Sequence, residues 1–346
     1  MKRLHSAAQS MKKTNKTNKS NKSESKTEAR NVYQVVTDKI IAQMEQGIIP
    51  WQKPWTYAGA GMEDLRNCAI NYQTRKPYSM LNQWLLGFRA GEYLTWKQAE
   101  ALGGKVKKGA ESGMVVFWGQ TTIRTRKKRD ENDEVVTDAD GNPVTEDVME
   151  ERIMPVLKYY HVFHIDDIEG IETKFTEEEA TQKVEVDPIQ SAELIVWEYV
   201  MREAKLKFEC DKPSDRAYYQ PGADKVVVPM ISQYKVKEEF YSTAFHELTH
   251  STLPSYRCNR ESENKGAYFG NEEYAREELV AEIGSAMLCN IAGLDCQKAF
   301  KNSVAYVQGW LKALKSNPKW IVWAAARAEK AARYIQFGPE TTLTAM

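Results

Sequence analysis

Apolar residues recur every three to four positions in several parts of the chain, which predicts α-helices there. The predicted helices begin at Val32 and stop before Gly47, and then cover 80–90, 96–102, 188–204, 237–252, 271–292 and 303–337, with a break at Asn317-Pro318. Runs rich in β-branched and aromatic residues predict buried strands at 114–120 and 159–165, and 217–229 has a strand–turn–strand pattern. The prolines of Pro50-Trp51-Gln52-Lys53-Pro54 predict extended backbone.

This order of elements predicts two domains of different class. We expect an α/β (α+β) N-terminal domain over 31–170 and a mainly helical C-terminal domain over 188–346. The polar, acidic segment 171–187 between them is the predicted linker. Segment 1–30 contains the repeat KTNKTNKSNKS and cannot bury apolar surface, so we expect a disordered basic tail. The charged segment 124–152 predicts a hairpin extension or a mobile loop.

Charge and composition narrow the class of protein. The 346 residues have a formal net charge of zero, but segment 1–30 carries nine Lys/Arg and two Asp/Glu, a net charge of +7, and the remainder carries −7. A basic patch can therefore bind phosphate although the total charge is zero. The five cysteines form no CxxC pair, which is typical of reduced thiols. Neither a secretory signal nor an apolar run of membrane-spanning length is present, so we expect a cytoplasmic protein without a membrane partner.

The predicted helix 237–252 carries a metal-binding pattern, His246-Glu247-Leu248-Thr249-His250. Histidines four residues apart project from the same helix face, so both imidazoles can bind one ion. Glu247 would lie beside the open coordination position and act as the catalytic base for an attacking water. The pattern predicts a metallopeptidase site.

The third ligand is predicted on the next helix. Glu278 and Glu282 are four residues apart and share a face, so Glu278 can bind the metal while Glu282 holds a ligand histidine from behind. Glu277 is the rival ligand, about 100° away around the helix. We expect Zn²⁺ in this site, although two histidines and one glutamate also accept Mn²⁺ or another divalent transition metal.

Further groups could assist the reaction. Tyr256, Tyr268 and Tyr274 are near the motif in sequence and are possible hydrogen-bond donors to the transition state. Each could equally be a packing residue. The alternative explanation of the whole motif is purely structural, with an acidic helix face beside two core histidines. Buried histidines without a partner, however, cost desolvation energy.

The N-terminal half interleaves aromatic and basic residues, a pattern typical of surfaces that bind single-stranded nucleic acid by stacking and phosphate neutralisation. Core tryptophans and solvated lysines are the alternative explanation. The candidate DNA-binding residues are Trp51, Lys53, Trp55, Arg75, Lys76, Tyr78, Lys105, Lys107, Lys108, Arg124 and Arg126.

Several longer stretches resemble a known family. Segments 31–55, 76–86 and 93–118 resemble the ArdC-type antirestriction domain, which is also found on plasmid primases. The stretches HELTHST, YFG at 268–270, YAREELVAEIGSAML and 306–334 are similar to the zincin-like peptidase domain joined to it. The resemblance covers roughly residues 31–337, but the basic tail and the long 124–152 insertion depart from it.

The resemblance implies an N-terminal domain that binds single-stranded DNA and a C-terminal metallopeptidase-like domain. It also implies carriage by a mobile element and protection of incoming DNA from restriction. Carried over by position, His246, His250 and Glu278 would be metal ligands and Glu247 the catalytic base. The similarity of EELVAE to the helix of thermolysin-like enzymes favours Glu278 over Glu277, with Glu282 behind the ligands.

Two hypotheses of function follow. In the first, DNA binding localises a metal-dependent peptidase near an unknown, DNA-associated protein substrate. In the second, the protein is a non-enzymatic escort of single-stranded DNA, and the metal only stabilises the fold. A toxin-like or self-processing protease is a third possibility. A Glu247→Gln substitution separates the first two hypotheses.

Overall fold

The structure is a computed structural model that describes residues 31–52, 68–130, 134–175, 187–261, 272–295 and 304–339. At 120–125, 147–155, 272 and 304–306 it describes the backbone alone. The predicted tail at 1–30 and most of the predicted linker lie outside these ranges. The described residues from Asn31 onward belong to one compact unit.

Eight helices and nine strands are assigned in the described ranges, and they confirm the predicted mixture of an α/β N-terminal half and a mainly helical C-terminal half. The helices are α1 (Val32–Glu45), α2 (Met80–Leu85), α3 (Trp96–Ala101), α4 (Pro188–Arg202), α5 (Lys237–Ser251), α6 (Glu272–Ala292), α7 (Val304–Ser316) and α8 (Trp320–Phe337). The strands are β1 (Ala69–Asn71), β2 (Gly91–Thr95), β3 (Lys105–Val106), β4 (Gly113–Lys127), β5 (Thr145–His164), β6 (Ile168–Glu169), β7 (Lys207–Glu209), β8 (Tyr218–Gln220) and β9 (Lys225–Val227).

A four-stranded sheet of order β1-β2-β5-β4 dominates the N-terminal half. The first two strands pair in parallel, and the other two pairs are antiparallel. Pairing between β4 and β5 continues out to Lys127 opposite Thr145, with a register shift between Gly119 and Thr121. The charged insertion therefore extends this hairpin, which was one of its two predicted structures.

The C-terminal half places α5 and α6 side by side, with α8 packed against α6 and a three-stranded sheet of order β7-β9-β8 beside α5. Asp187 begins α4 by accepting hydrogen bonds from the amides of Ile189 and Gln190, and Pro188 occupies the first turn, where its missing N–H costs nothing. The α7 and α8 helices are separated at Asn317-Pro318, as the sequence predicts.

One hydrophobic cluster contains residues from both halves. Val36 of α1, Trp84 of α2, Ile283 of α6 and Ile321 of α8 belong to it and are each at most 2% exposed. The two predicted domains therefore share a core, while the boundary at 171–187 stays a prediction.

The segment that begins at Pro50 is folded differently from its prediction. Pro50–Gln52 form a single 3-10 turn where the two prolines predicted extended backbone. Trp51 is 1% exposed and lies between Trp84 and Trp310, with ring centroids 5.9 and 5.6 Å away. Burial of the indole outweighs the local preference of the prolines, because an aromatic side chain is among the largest apolar surfaces a residue can bury.

Candidate metal centre and nucleic-acid surface

Helix α5 carries the HExxH motif in its last two turns. Glu238 and Glu239 lie in the first turn, where the positive end of the helix dipole favours acidic groups, and His250 lies in the last. The chain turns at Pro254, and α6 then returns along α5. The two helices come unusually close at Gly284, where a Cβ atom would lie 2.7 Å from the Thr249 side chain. Close packing at this glycine brings the α6 carboxylates within reach of both histidines.

The two histidines and Glu278 converge on one point. The Nε2 atoms of His246 and His250 are 3.2 Å apart. The Glu278 carboxylate lies between them, with Oε2 at 3.5 Å from His246 Nε2 and Oε1 at 3.4 Å from His250 Nε2. Among the described residues, these three side chains form the group that could hold a metal ion, and all three are partly exposed.

The spacing of these atoms fits a small divalent cation. Ligands of a tetrahedral ion at about 2.0–2.1 Å are about 3.3–3.4 Å apart. The distance between the two Nε2 atoms, and the distance from each Nε2 to its nearer carboxylate oxygen, are close to this value. Two imidazole nitrogens and a carboxylate are also the donor set of a catalytic zinc site, which leaves a fourth position for water or substrate. The residues present therefore fit a divalent metal.

Both histidines are backed by a second carboxylate of α6. His246 Nδ1 lies 3.7 Å from Glu282 Oε2, and His250 Nδ1 lies 3.5 Å from Glu277 Oε1. A carboxylate in this position holds the ring and its tautomer so that Nε2 stays free for the metal. Glu277, the rival ligand of the sequence analysis, thus lies behind His250 and away from the convergence point.

The histidines and glutamates of the site stabilise one another in their ionised forms. Burial opposes the charged form of His250, but Glu277 and Glu278 outweigh it and raise the pKa of this histidine to about 9. Burial likewise opposes the imidazolium of His246, yet Glu278 and Glu282 raise its pKa well above the ordinary value. Burial disfavours an ionised Glu278, but the two histidines hold the pKa of its carboxyl far below its usual range. The carboxylate is therefore ionised and attracts a cation.

Glu247 is 8% exposed on the same helix as the two histidines. Among the residues that the structure describes, its carboxylate has no hydrogen-bond or ion-pair partner. It lies one residue after His246, close enough for its charge to raise the pKa of that ring. This placement suits the predicted catalytic base.

The three tyrosines that are possible hydrogen-bond donors to the transition state lie in different places. Tyr256 donates a hydrogen bond from its hydroxyl to Asp224 Oδ2 at 3.1 Å, which engages the hydroxyl there. Tyr274 is half-buried on α6, one turn before Glu278 and on the same helix face. Tyr268 lies outside the described residues.

Two parts of the chain match known protein families. Residues 30–163 match the N-terminal domain of anti-restriction factor ArdC, and residues 197–327 match a zincin-like metallopeptidase. A DNA primase TraC of Escherichia coli is 33% identical over 88% of this chain, but the chain spans only 20% of that primase. The protein y4eC of Sinorhizobium fredii is 28% identical over 88% of this chain and 91% of its own length.

Solved structures of the antirestriction protein ArdC from plasmid R388 match nearly the whole chain. The Mn(II)-bound structure has a TM-score of 0.61 and 29% identity, and the match covers 90% of this chain and 99% of that one. The metal-free structure has a TM-score of 0.56 and 31% identity over 88% and 96% of the two chains. This chain belongs to the ArdC antirestriction family. As an ArdC-family protein it combines an ArdC-type N-terminal domain with a zincin-like domain.

The predicted DNA-binding residues of this ArdC-family chain are placed unevenly. Trp51 and Tyr78 are buried at 1% and 6% exposure, so their selection as stacking residues was wrong, because their rings belong to the core. Arg75 forms an ion pair with the buried Glu92, and Arg126 pairs with Glu146 at 3.0 Å. Four predicted lysines are exposed: Lys76, Lys105, Lys107 and Lys108. Lys53, Trp55 and the side chain of Arg124 lie outside the described residues.

Exposed aromatic residues do occur on the β4–β5 hairpin, where sequence reasoning did not select them. Phe117 and Tyr160 are 43% and 44% exposed, and their ring centroids are 5.9 Å apart. Phe117 is opposite Lys158 in the register, and Val115 is opposite Tyr160, so Phe117, Lys158 and Tyr160 share one sheet face. Their position in the sequence could have indicated this exposure, because both aromatic residues lie beyond the apolar centre of their strand.

No helix in the described ranges is long and apolar enough to cross a membrane.

Proposed function

We propose that this ArdC-family protein is a metal-dependent peptidase that acts on a protein associated with single-stranded DNA. The observation that carries the proposal is the convergence of His246 Nε2, His250 Nε2 and the Glu278 carboxylate beside Glu247. Glu247 is nearly buried and directly follows His246, where a purely structural metal site does not need a carboxylate. Glu247 therefore favours catalysis over the escort hypothesis.

The roles of the chain's own residues follow from their positions. His246, His250 and Glu278 would hold a divalent ion, which supplies Lewis-acid polarisation of the scissile carbonyl and lowers the pKa of the attacking water. Glu247 accepts the proton of that water and passes it to the leaving amine. Tyr274, on the Glu278 face of α6, is our choice for the donor that stabilises the developing oxyanion.

We propose Zn²⁺ as the resident metal, because the ligand set and the separations of the donor atoms suit tetrahedral coordination. The Mn(II)-bound structure of the R388 relative shows that this relative binds a divalent ion, which supports a divalent ion here, and Mn²⁺ remains the alternative. The four cysteines of the described ranges, Cys68, Cys210, Cys258 and Cys289, are free thiols, which supports action in a reducing compartment such as the cytoplasm.

For the DNA-binding surface we propose the face formed by Phe117, Lys158 and Tyr160. The exposed rings of Phe117 and Tyr160 can stack against bases, and Lys158, which is opposite Phe117 in the register, adds positive charge to this face. The exposed lysines of the predicted set would extend this surface electrostatically. Binding of single-stranded DNA would raise the effective concentration of the peptidase near proteins on the same strand.

Catalysis is tested with wild type and Glu247→Gln. Both proteins are loaded with Zn²⁺ and incubated with casein, and with a single-stranded-DNA-binding protein in the presence and absence of a 40-nucleotide strand. We expect cleavage by wild type alone, faster on the DNA-bound protein, with equal metal content in the two proteins. Equal antirestriction activity of the two proteins in cells, without cleavage by either, would support the escort hypothesis.

The DNA surface is tested by oligonucleotide binding. Phe117→Ala and Tyr160→Ala should each weaken binding of single-stranded DNA by about 5- to 100-fold, the range for loss of one stacked base. Trp96→Ala is the matched control, since Trp96 is an exposed aromatic residue at 54% that lies on α3, away from this face. Equal losses in all three variants would argue against a defined surface.

A further inference from the structure

The Pro50–Gln52 turn of the N-terminal half touches the metal centre of the C-terminal half. Gln52 donates a hydrogen bond from its amide Nε2 to Glu282 Oε1 at 2.9 Å. The other oxygen of the same carboxylate, Oε2, faces His246 Nδ1 at 3.7 Å. A chain of contacts therefore leads from a residue of the ArdC-type domain, through Glu282, to a metal ligand.

The turn is firmly anchored. The indole of Trp51 is buried between Trp84 of α2 and Trp310 of α7. The backbone N–H of Gln52 donates a hydrogen bond to the carbonyl of Ile49 at 3.0 Å. Buried aromatic packing of this kind fixes the backbone next to it. Gln52 can therefore hold the carboxylate in one orientation at a small entropic cost, since its own backbone is already ordered.

The arrangement matches the one behind the other histidine. Glu277 backs His250 and is itself held by Arg260, with 2.6 Å between Glu277 Oε1 and Arg260 Nη2. Each ligand histidine thus has a carboxylate behind it, and each carboxylate is held by a donor from outside α6. Arg260 belongs to the loop after α5, but Gln52 belongs to the other half of the chain.

We propose that Gln52 is a positioning residue of the metal centre, which holds Glu282 behind His246 and so raises the affinity of the site for a divalent ion. Metal affinity then depends on the docking of the Pro50–Gln52 turn, and by linkage a bound metal stabilises that docking. The inference rests on the metal site of the proposed function. It adds a contribution from the ArdC-type domain to that site.

The test is the dissociation constant for Zn²⁺, measured on the full chain by competition with a chelating indicator. Gln52→Glu has nearly the same shape as wild type but replaces the donor with a second carboxylate beside Glu282. We expect it to weaken Zn²⁺ binding by about three- to tenfold, somewhat less than the 10- to 100-fold loss typical when a direct partner of a ligand is removed. In a Glu282→Gln background the same change should have a clearly smaller effect.

Two variants separate positioning from packing. Gln52→Lys keeps a donor for Glu282 and should retain a dissociation constant within about twofold of wild type. Gln34→Glu is the matched control, because Gln34 also donates to a carboxylate, Asp38 at 2.7 Å, on the exposed surface of α1. It should leave Zn²⁺ binding unchanged.

Three results would overturn the inference. Zn²⁺ binding by Gln52→Glu within twofold of wild type would show that Gln52 does not set the affinity. Equal losses for Gln52→Glu and Gln52→Lys would show that packing, and not the hydrogen bond, is responsible. Absence of Zn²⁺ binding by wild type would remove the metal site itself, and with it the proposed function, whereas the first two results leave that function intact.

Discussion

Glu277 and Arg260 form a buried ion pair directly behind the second histidine of the HExxH motif, with 2.6 Å between Oε1 and Nη2. Burial opposes ionisation of Glu277, but Arg260 and His250 lower the pKa of its carboxyl to about 2. Arg260 also donates to Thr252 Oγ1 at 2.8 Å and to the carbonyl of Thr249 at 3.1 Å. One guanidinium therefore caps the end of α5 and holds the carboxylate that orients His250.

Loss of this guanidinium should damage both folding and metal binding. Arg260→Met removes the guanidinium that pairs with the buried carboxylate of Glu277, so we expect the free energy of unfolding to fall by about 3–5 kcal/mol. Chemical denaturation of the metal-free protein measures this change. The double variant Arg260→Met/Glu277→Gln removes both charges and should recover much of the loss. A double variant as unstable as the single one would show that the ion pair is not the cause.

The two neighbouring glutamates of α6 should respond differently to the same substitution. Glu278→Gln removes a ligand, so Zn²⁺ should no longer co-purify with the protein. Glu277→Gln removes a hydrogen-bond partner of His250, and it should weaken binding by about 10- to 100-fold. Calorimetric titration with Zn²⁺ distinguishes the two losses. A larger loss of Zn²⁺ affinity for Glu277→Gln than for Glu278→Gln would indicate that Glu277 is the ligand.

The close contact of α5 and α6 provides a third prediction. Gly284→Ala places a methyl group 2.7 Å from the stiff side chain of Thr249, so the helices must separate. We expect a loss of about 1–3 kcal/mol in the free energy of unfolding, together with weaker metal binding. Gly309→Ala in α7 is the control, because nothing lies within 4 Å of its Cβ position. It should be neutral or stabilising by up to about 1 kcal/mol.

A second buried network, centred on Asp224 and Arg257, should control stability at acidic pH. Asp224 accepts hydrogen bonds from Arg257 at 2.7 and 2.8 Å. Burial would raise the pKa of Asp224, but Arg257 outweighs it and lowers that pKa. A carboxyl whose pKa is lower in the folded state stabilises the protein above its unfolded pKa of about 4, and this contribution is lost as pH falls through the folded value.

Asp224→Asn should therefore lower stability at pH 7, and the difference from wild type should shrink as the pH falls below about 4. Asparagine tolerates the left-handed backbone of this position, where φ is +44°, so backbone strain does not contribute to the difference. Thermal unfolding from pH 3 to pH 7 measures the effect. Asp38→Asn on the exposed face of α1 is the control. A pH-independent difference would contradict the role assigned to the Asp224 charge.

Local patterns were sufficient to predict most elements of the fold and the proximity of the two histidines. His246 and His250 could be paired from their spacing, because the helical repeat alone puts them on one face. The choice of Glu278 over Glu277 needed the orientation of α6 around its axis, which spacing left open and the family resemblance favoured.

Other features depend on long-range packing and could not be predicted. Gln52 and Glu282 are 230 positions apart, and nothing local to either residue indicates the contact. Trp51 and Tyr78 were wrongly selected as stacking residues because their burial also depends on long-range packing. An aromatic residue beside lysines has the same local pattern whether tertiary packing buries it or leaves it exposed.

The metal content of the purified protein tests most directly whether His246, His250 and Glu278 form a metal centre. Wild type and His250→Ala are purified identically, and transition metals are measured by mass spectrometry. We expect about one metal ion per wild-type chain and almost none in the variant. Absence of metal from both proteins, even after incubation with Zn²⁺, would contradict the metal centre and the peptidase proposal built on it.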